Sequence, residues 1–370
     1  MLITLIAGAR PNFMKIAPLI KAIQKANSEG KGIHYRLVHT GQHYDRNMSD
    51  TFFSELGIPM PDVNLGCGGG TQAEQTAAIM VAFEKELQQH PSDLVLVVGD
   101  VTSTMACSIV AKKLNTKVTH VEAGIRSWDL TMPEEINRMV TDCLADFYFT
   151  TSEVANQNLR QMGVSESRIH FVGNVMIDTL LANKNRFKRP KIYDELQLKE
   201  KEYIVLTMHR PANVDEEQHL KSLMEQIITN VHKLPIIFPI HPRTAKIFYH
   251  LWGNEEQLKT FFPNLHIVEP MGYLEFNYLV EHSKAVITDS GGITEETTVM
   301  GIPCITLRDN TERPETCTIG TNELIGTDPK NIKPALDKLF AGEWKIGAIP
   351  PLWDGNAAKR IIEVLVSQNC

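Results

Sequence analysis

Apolar residues along this chain gather in short unbroken runs, separated by longer stretches with helical periodicity. LITLIAG (Leu2–Gly8) and DLVLVVG (Asp93–Gly99) are runs of this kind. Strands buried on both faces of a parallel sheet have this pattern, whereas half-exposed strands alternate. The first half predicts strands at Leu2–Gly8, Ile33–Thr40, Asp93–Gly99, Lys117–Val121, Asp146–Thr150 and Arg168–Val172. Helices are expected between them at Phe13–Ala26, Gln72–Gln89, Ser103–Leu114 and Glu153–Met162, the first kinked or reset by Pro18. Residues 66–71, GCGGGT, read as a flexible connection.

A polar, charge-rich segment, 182–202, reads as a linker with a flanking helix or as a surface helix of one domain. The alternation then restarts with strands Tyr203–Thr207, Pro235–Ile240, Leu265–Val268, Ala285–Thr288 and Pro303–Leu307. Helices are expected at Glu216–Val231, Tyr273–Glu281, Pro334–Phe340 and Ala357–Ser367. After Thr288, Asp289–Gly292 reads as a tight turn into a helix that opens with Glu295 and Glu296. Two rounds of β/α alternation predict an α/β chain of two Rossmann-like domains, 1–180 and 181–355. The length of 370 residues agrees, since single cores rarely grow past about 250–300 residues.

Composition narrows the partners. A net charge of −7 argues against nucleic acid, which is bound through basic surface. Cys67, Cys107, Cys143, Cys304, Cys317 and Cys370 are scattered without finger-like spacing, and read as reduced thiols rather than a zinc site. No apolar run approaches the roughly 18 residues of a membrane helix, and the run Leu2–Ala9 is too short for a signal peptide and has no basic region before it. A cytoplasmic protein is expected.

The candidate chemistry lies at strand ends. Asp100, Glu122, His209 and His241 follow four predicted strands, and Arg10 follows Gly8. Open α/β sheets bind ligands outside the carboxyl ends of their strands. Ser290, Gly291 and Gly292 join a strand to a helix, where free N–H groups at the positive end of the dipole suit a phosphate. GxGxxG and GxxxxGK[ST] are both missing, so neither a dinucleotide fingerprint nor a P-loop is present. In THVEAGIRSWDLTMPEEINR, Pro133 reads as a first helical residue. Glu134 and Arg138 stand at i and i+4. They form a structural ion pair, or else Asp100, Glu122 and Glu134 line a wall of general acids and bases.

GARPNFMKIAPL, GQHYDRNM, GDVTSTMA, HVEAGIRS, MPEEINR, GNVMID, TMHRPAN, FPIHPR, TDSGGITEE and RDNTERPE occur in that order over nearly the whole chain. Together they resemble the non-hydrolysing UDP-N-acetylglucosamine 2-epimerases of the bacterial type. The resemblance implies the GT-B architecture, with a UDP-sugar in the interdomain cleft and a last helix, within 356–370, packed back on the first domain. It implies Asp100, Glu122 and Glu134 as acid/base groups, with His209 beside them in the catalytic set. Arg10, His209 and Ser290 with Gly291 and Gly292 are implied at the diphosphate, Glu296 at the ribose and Arg313 near the sugar. Lys15, Arg138 and His241 complete the implied substrate contacts. No metal or cofactor, a homodimer and a place in surface-polysaccharide synthesis are also implied.

Family chemistry eliminates UDP across C1–C2 to a glycal and adds it back with the proton on the other face. Gln42 and His43 match the Gln-His pair of a regulatory UDP-sugar site in bacterial members. Met48 lies further along than usual, and 66–72 lacks the expected Arg. A short loop, Arg126–Pro133, and HRPAN in place of HRxEN leave room for a related substrate such as a UDP-diacetamido uronic acid. A hydrolysing epimerase, a GT-B glycosyltransferase and a nucleotide-sugar sensor are the other classes weighed.

Overall fold

The apolar runs assemble into two parallel sheets, one in each of two compact units: Met1–Asn183 with Pro351–Cys370, and Lys184–Pro350. The computed structural model describes residues 1–42, 55–240 and 242–368, without the side chains of Arg10, Pro11, Pro242, Arg243 and Glu255. His43, Met48 and His241 therefore lie outside the described residues.

The first unit runs β1 (Leu2–Ala7), α1 (Arg10–Ser28), β2 (His34–His39), β3 (Val63–Asn64), α2 (Gln72–Gln89), β4 (Leu94–Val98), α3 (Thr102–Lys113), β5 (Lys117–Val121), α4 (Pro133–Leu144), β6 (Phe147–Thr150), α5 (Glu153–Gln161), β7 (Ile169–Phe171) and α6 (Val175–Asn183). Its sheet order is β3-β2-β1-β4-β5-β6-β7, every pair parallel. The order reverses between β1 and β4, which opens a crevice at their carboxyl ends. Ile6, Val38, Val95 and Val97 meet Ile79, Phe83 and Val110 of the covering helices in the core.

α1 continues through Pro18 rather than breaking there. Proline lacks the N–H that would bond the carbonyl four residues earlier. That carbonyl, of Met14, instead accepts from Thr179 Oγ1 of α6 at 2.5 Å. The packing of two helices thus satisfies the group that Pro18 orphans.

The second unit runs β8 (Ile204–Thr207), α7 (Glu217–Asn230), β9 (Ile236–Pro239), α8 (Pro242–Trp252), α9 (Glu255–Phe261), β10 (Leu265–Val268), α10 (Tyr273–His282), β11 (Ala285–Thr288), α11 (Gly291–Met300), β12 (Cys304–Thr306), α12 (Pro314–Thr318), β13 (Asn322–Leu324) and α13 (Ile332–Phe340). Its order, β10-β9-β8-β11-β12-β13, is again all parallel and reverses between β8 and β11. Ile204 and Leu206 face one core while Val205 faces another, so this strand is apolar throughout. The segment 184–202 is no free linker: Tyr193 and Leu198 pack with Tyr203 in the second unit's core.

The chain then returns to the first unit as α14 (Ala357–Ser367). Asp178 of α6 accepts from the N–H groups of Ala357 and Ala358 at 3.1 and 2.7 Å, at the N-terminus of α14. Trp353 donates to Thr151 O at 2.9 Å. The expected α/β fold with two Rossmann-like domains is the one the chain forms. Among the described residues no helix is long and apolar enough to cross a membrane.

Candidate functional site

At the β1/β4 crevice, Asn12 ties the strand ends together. Its Oδ1 accepts from Gly8 N and Ala9 N, both at 3.0 Å, and its Nδ2 donates to Val98 O at 3.1 Å. Gly99 turns the chain out of β4 at φ +66°, and a Cβ there would stand 3.0 Å from Lys15 Nζ. Lys15 donates to Glu122 Oε2 at 2.5 Å, from a half-buried position to a buried one. Glu122 itself takes φ +71°, a conformation that L-residues seldom hold without a local reason. Its N–H and that of Ala123 both donate to Phe149 O, at 2.9 and 3.1 Å, which fixes this irregular exit from β5.

Asp100, one-third exposed at its side chain, accepts from Arg138 Nη2, while Asn137 donates to its backbone carbonyl at 2.9 Å. His120 Nε2 donates to Gly99 O at 2.8 Å, and its Nδ1 meets Asp142 Oδ1 at 2.7 Å. Burial works against ionisation of Asp142, but His120 and Arg126 prevail and hold its carboxyl below the usual range. Gly124 is a close approach, since a Cβ at that residue would lie 2.3 Å from Ala155 O. The HVEAG stretch therefore has structural demands at His120 and Gly124 as well as a carboxylate at the crevice.

In the second unit the hub is Asp289, at the end of β11 and fully buried. It accepts from His209 N (3.0 Å), Arg210 N (2.8 Å) and Asn213 Nδ2 (3.1 Å), and His209 Nδ1 lies 2.9 Å away. Burial opposes its charge, but these bonds, led by that from His209, hold its carboxyl below the ordinary range. His209 keeps half of its side chain exposed at the end of β8. Ser290 is the N-cap of α11, and its hydroxyl makes no capping bond. The first-turn N–H groups of Gly291 and Gly292 thus head a helix beside two arginines. Arg308 donates to Glu312 at 2.6 Å, and Arg210 reaches the same carboxylate at 3.9 Å. Backbone donors, a hydroxyl and cations converge as an anion requires.

A family model for UDP-N-acetylglucosamine 2-epimerase matches residues 25–366. The chain belongs to the UDP-N-acetylglucosamine 2-epimerase family. It is 38% identical to the UDP-N-acetylglucosamine 2-epimerase of Methanocaldococcus jannaschii over 99% of each chain. It is also 38% identical to a UDP-2,3-diacetamido-2,3-dideoxy-D-glucuronate 2-epimerase of Pseudomonas aeruginosa over 88% of each. The crystal structure of the M. jannaschii protein with UDP-GlcNAc and UDP superposes with a TM-score of 0.87, covering 99% of this chain and all of that one. The chain is thus an enzyme, an isomerase of the epimerase class.

Within the first unit of this enzyme, the described residues bring Lys15, Asp100, Glu122 and Arg138 to the β1/β4 crevice. Arg10 opens α1 at the same edge. Glu134 lies exposed on the first turn of α4. From its own helix Arg138 engages Glu135, at 2.7 Å, an acid to which the sequence assigned no role. Gln42 Oε1 accepts from Ser103 Oγ and N at 2.8 and 3.2 Å, so it ties the exit of β2 to the start of α3.

One expectation needs correction. α11 opens at Gly291, not at Glu295, so the two glycines are its first helical residues and the acids lie a turn further in. Helix N-termini leave their first N–H groups without an intrahelical partner, and glycine, with no Cβ, leaves those groups open to approach. The acids are consequently buried: Glu295 pairs with Arg313, and Tyr273 donates to Glu296 Oε1 at 2.8 Å.

Burial raises the Glu296 carboxyl from 4.5 to about 7; the Tyr273 bond opposes this and the Glu295 charge adds to it. A carboxyl whose folded pKa is raised contributes stability below the unfolded value, and that contribution is lost as pH rises through the folded one. Glu296→Gln is therefore expected to gain on the wild type by on the order of 2–3 kcal/mol between pH 5 and pH 8. Urea denaturation at the two pH values measures it, and parallel wild-type and variant profiles would contradict it. Among the described residues no three His, Cys, Asp or Glu side chains gather as a metal site requires.

Proposed function

We propose that the enzyme interconverts UDP-N-acetylglucosamine and UDP-N-acetylmannosamine without releasing the nucleotide. The observation that carries this reading is the pairing of unlike equipment with two crevices in a family member. Carboxylates and Lys15 gather at β1/β4, while anion donors gather at β8/β11. In this reading residues 181–355 grip the nucleotide, with Ser290, Gly291, Gly292 and His209 at the diphosphate, Glu296 at the ribose, and Arg313 and His241 near the sugar; Arg10, from residues 1–180, is also assigned to the diphosphate. The domain of residues 1–180, completed by the helix within 356–370, handles protons through Asp100, Glu122 and Glu134, with Lys15 and Arg138 beside them.

The C2 hydrogen of a 2-acetamido sugar is not next to a carbonyl carbon, so simple deprotonation gives no stabilised anion. Elimination avoids the difficulty. A carboxylate takes the C2 proton, the C1–O bond breaks, and its electron pair leaves with the diphosphate, stabilised by cations and backbone N–H groups. A carboxylic acid on the opposite face then delivers a proton to C2 as the diphosphate oxygen re-forms its bond to C1. Water has to be kept from the glycal in between.

Run in D2O, the reaction is expected to place deuterium at C2 of the product with the anomeric phosphate intact, as followed by NMR. Product without deuterium rules out elimination, and free sugar marks a hydrolysing enzyme. The Pseudomonas aeruginosa relative, at equal identity, supports a second reading in which the substrate is a UDP-diacetamido uronic acid. The same experiment on that sugar decides between them.

A further inference from the structure

Glu134 and Glu135 are neighbours in sequence and opposites in setting. Glu134 is exposed, whereas Glu135 is fully buried. The Glu135 carboxylate accepts from Ser127 N (2.9 Å), Ser127 Oγ (3.0 Å), Trp128 N (3.1 Å) and Arg138 Nη1 (2.7 Å). Arg138 is 2% exposed and turns its other terminal nitrogen, Nη2, to Asp100. One guanidinium thus spans two carboxylates, which its planar fork suits and an ammonium would not. The loop that Glu135 fixes carries Trp128 in the left-handed region, at φ +61°, with 65% of its surface exposed. A large aromatic displayed from strained backbone on a buried anchor is costly unless the surroundings over-determine it.

We propose that Glu135 is a positioning residue: by holding one arm of Arg138 it limits the positive charge felt by Asp100, and the same carboxylate fixes the Ser127–Trp128 loop beside it. The proposal rests on the reading of Asp100 as a proton-transfer group. Arg138 held between two anions leaves Asp100 a stronger base than Arg138 alone would. Without the Glu135 charge, less of the cation is offset, and its pull on Asp100 makes it a weaker base.

Most of the other described charged groups nearby pair among themselves. Across Gly99 stand Lys15 and Glu122, bonded to each other. His120, Asp142 and Arg126 form a buried network behind the Gly99 carbonyl. α3 packs against α4 and carries Lys112, bonded to Asp146, and exposed Lys113 at its far end. α4 itself adds exposed Glu134.

The test is a carboxyl-carbon NMR titration of the full chain labelled at aspartate, with the Asp100 signal identified by its loss in Asp100→Asn. Glu135→Gln keeps the side chain's shape and is expected to lower the Asp100 midpoint by about one pH unit. Glu135→Asp draws the carboxylate back by one methylene and shifts the midpoint the same way by less, which also covers poor folding of the first variant. The acidic limb of the kcat–pH profile should follow the midpoint. A role in folding alone would lower the melting temperature and leave the midpoint where it was. An unchanged midpoint in either folded variant overturns the proposal. Full activity in Asp100→Asn overturns the catalytic reading of Asp100 instead, and leaves the titration to be judged separately.

Discussion

Asp100→Asn, Glu122→Gln and Glu134→Gln are each expected to lower kcat by at least about 10²-fold, the lower end of a general acid/base contribution. Each change removes the ability to exchange a proton and alters the shape of the side chain very little. Asp100 is one-third exposed and aligned by Arg138; Glu122 is buried and bonded to Lys15. Both leave the sheet at neighbouring strands β4 and β5, whose ends are joined by Gly99 N donating to Val121 O at 3.0 Å. Glu134 is exposed, so its substitution carries little folding cost and a loss of turnover there reports on chemistry. UDP affinity should stay near the wild-type value, because the nucleotide is assigned to the other unit. Epimerisation followed by NMR with saturating substrate gives kcat directly. Near-normal turnover in all three variants would remove the acid/base assignment.

The largest effect on stability is expected at Asp289. Asp289→Ala strips an acceptor from two backbone N–H groups, from Asn213 and from His209, in a fully buried position. Leaving such donors unsatisfied should cost about 3 kcal/mol or more. For a unit of this size that lowers the Tm by on the order of 10 °C. The Asp289 carboxyl is held below its ordinary pKa, so its contribution is present above the unfolded value and lost as pH falls through the folded one. Calorimetry at pH 7 and at pH 3 should therefore show the variant's deficit shrinking in acid. A Tm within a degree of wild type at pH 7 would mean that the hub carries no such weight. UDP binding should fall with it, because His209 and Arg210 hang from this carboxylate and Ser290 follows it directly in the chain.

The strands were legible because β1, β4, β8 and β11 are covered on both faces and so read as mostly apolar runs. β3 (Val63–Asn64) and β13 (Asn322–Leu324) were not, since edge strands this short are paired on one side and need no such run. The helices at Val175–Asn183, Pro242–Trp252 and Glu255–Phe261 were missed as well. Val175–Asn183 is apolar nearly all round and offers little polar/apolar period, whereas Pro242–Trp252 carries a period that went unread. At the site, Asp100, Glu122 and His209 could be read as strand ends, but their partners could not. Asp289 looked like one residue of a turn, and nothing in its neighbours announced that β8 would hang its exit on it. In PEE, residues 133–135, the two acids are equal as letters, and the helical rotation sends one outward and the other inward. A sign was present. Glu135, Arg138 and Asp142 recur at spacings of three and four, and with Asn137 and Thr141 make a polar stripe on the buried face of α4. An amphipathic reading assigns that stripe to solvent, and only the loop and strand ends it meets show why it is inside.

The return of the chain in α14 has a consequence for biosynthesis. Ile361, Ile362 and Leu365 bury themselves in the first unit, and Asp178 holds the N-terminus of that helix. Domains made early in translation usually fold early. Here the unit begun first cannot be finished until residues 351–367 leave the ribosome, whereas the second unit, 184–350, is complete before them. The nascent first unit waits with the apolar seat of α14 uncovered, and a chain cut short just after residue 350 would have its second unit whole and its first left open.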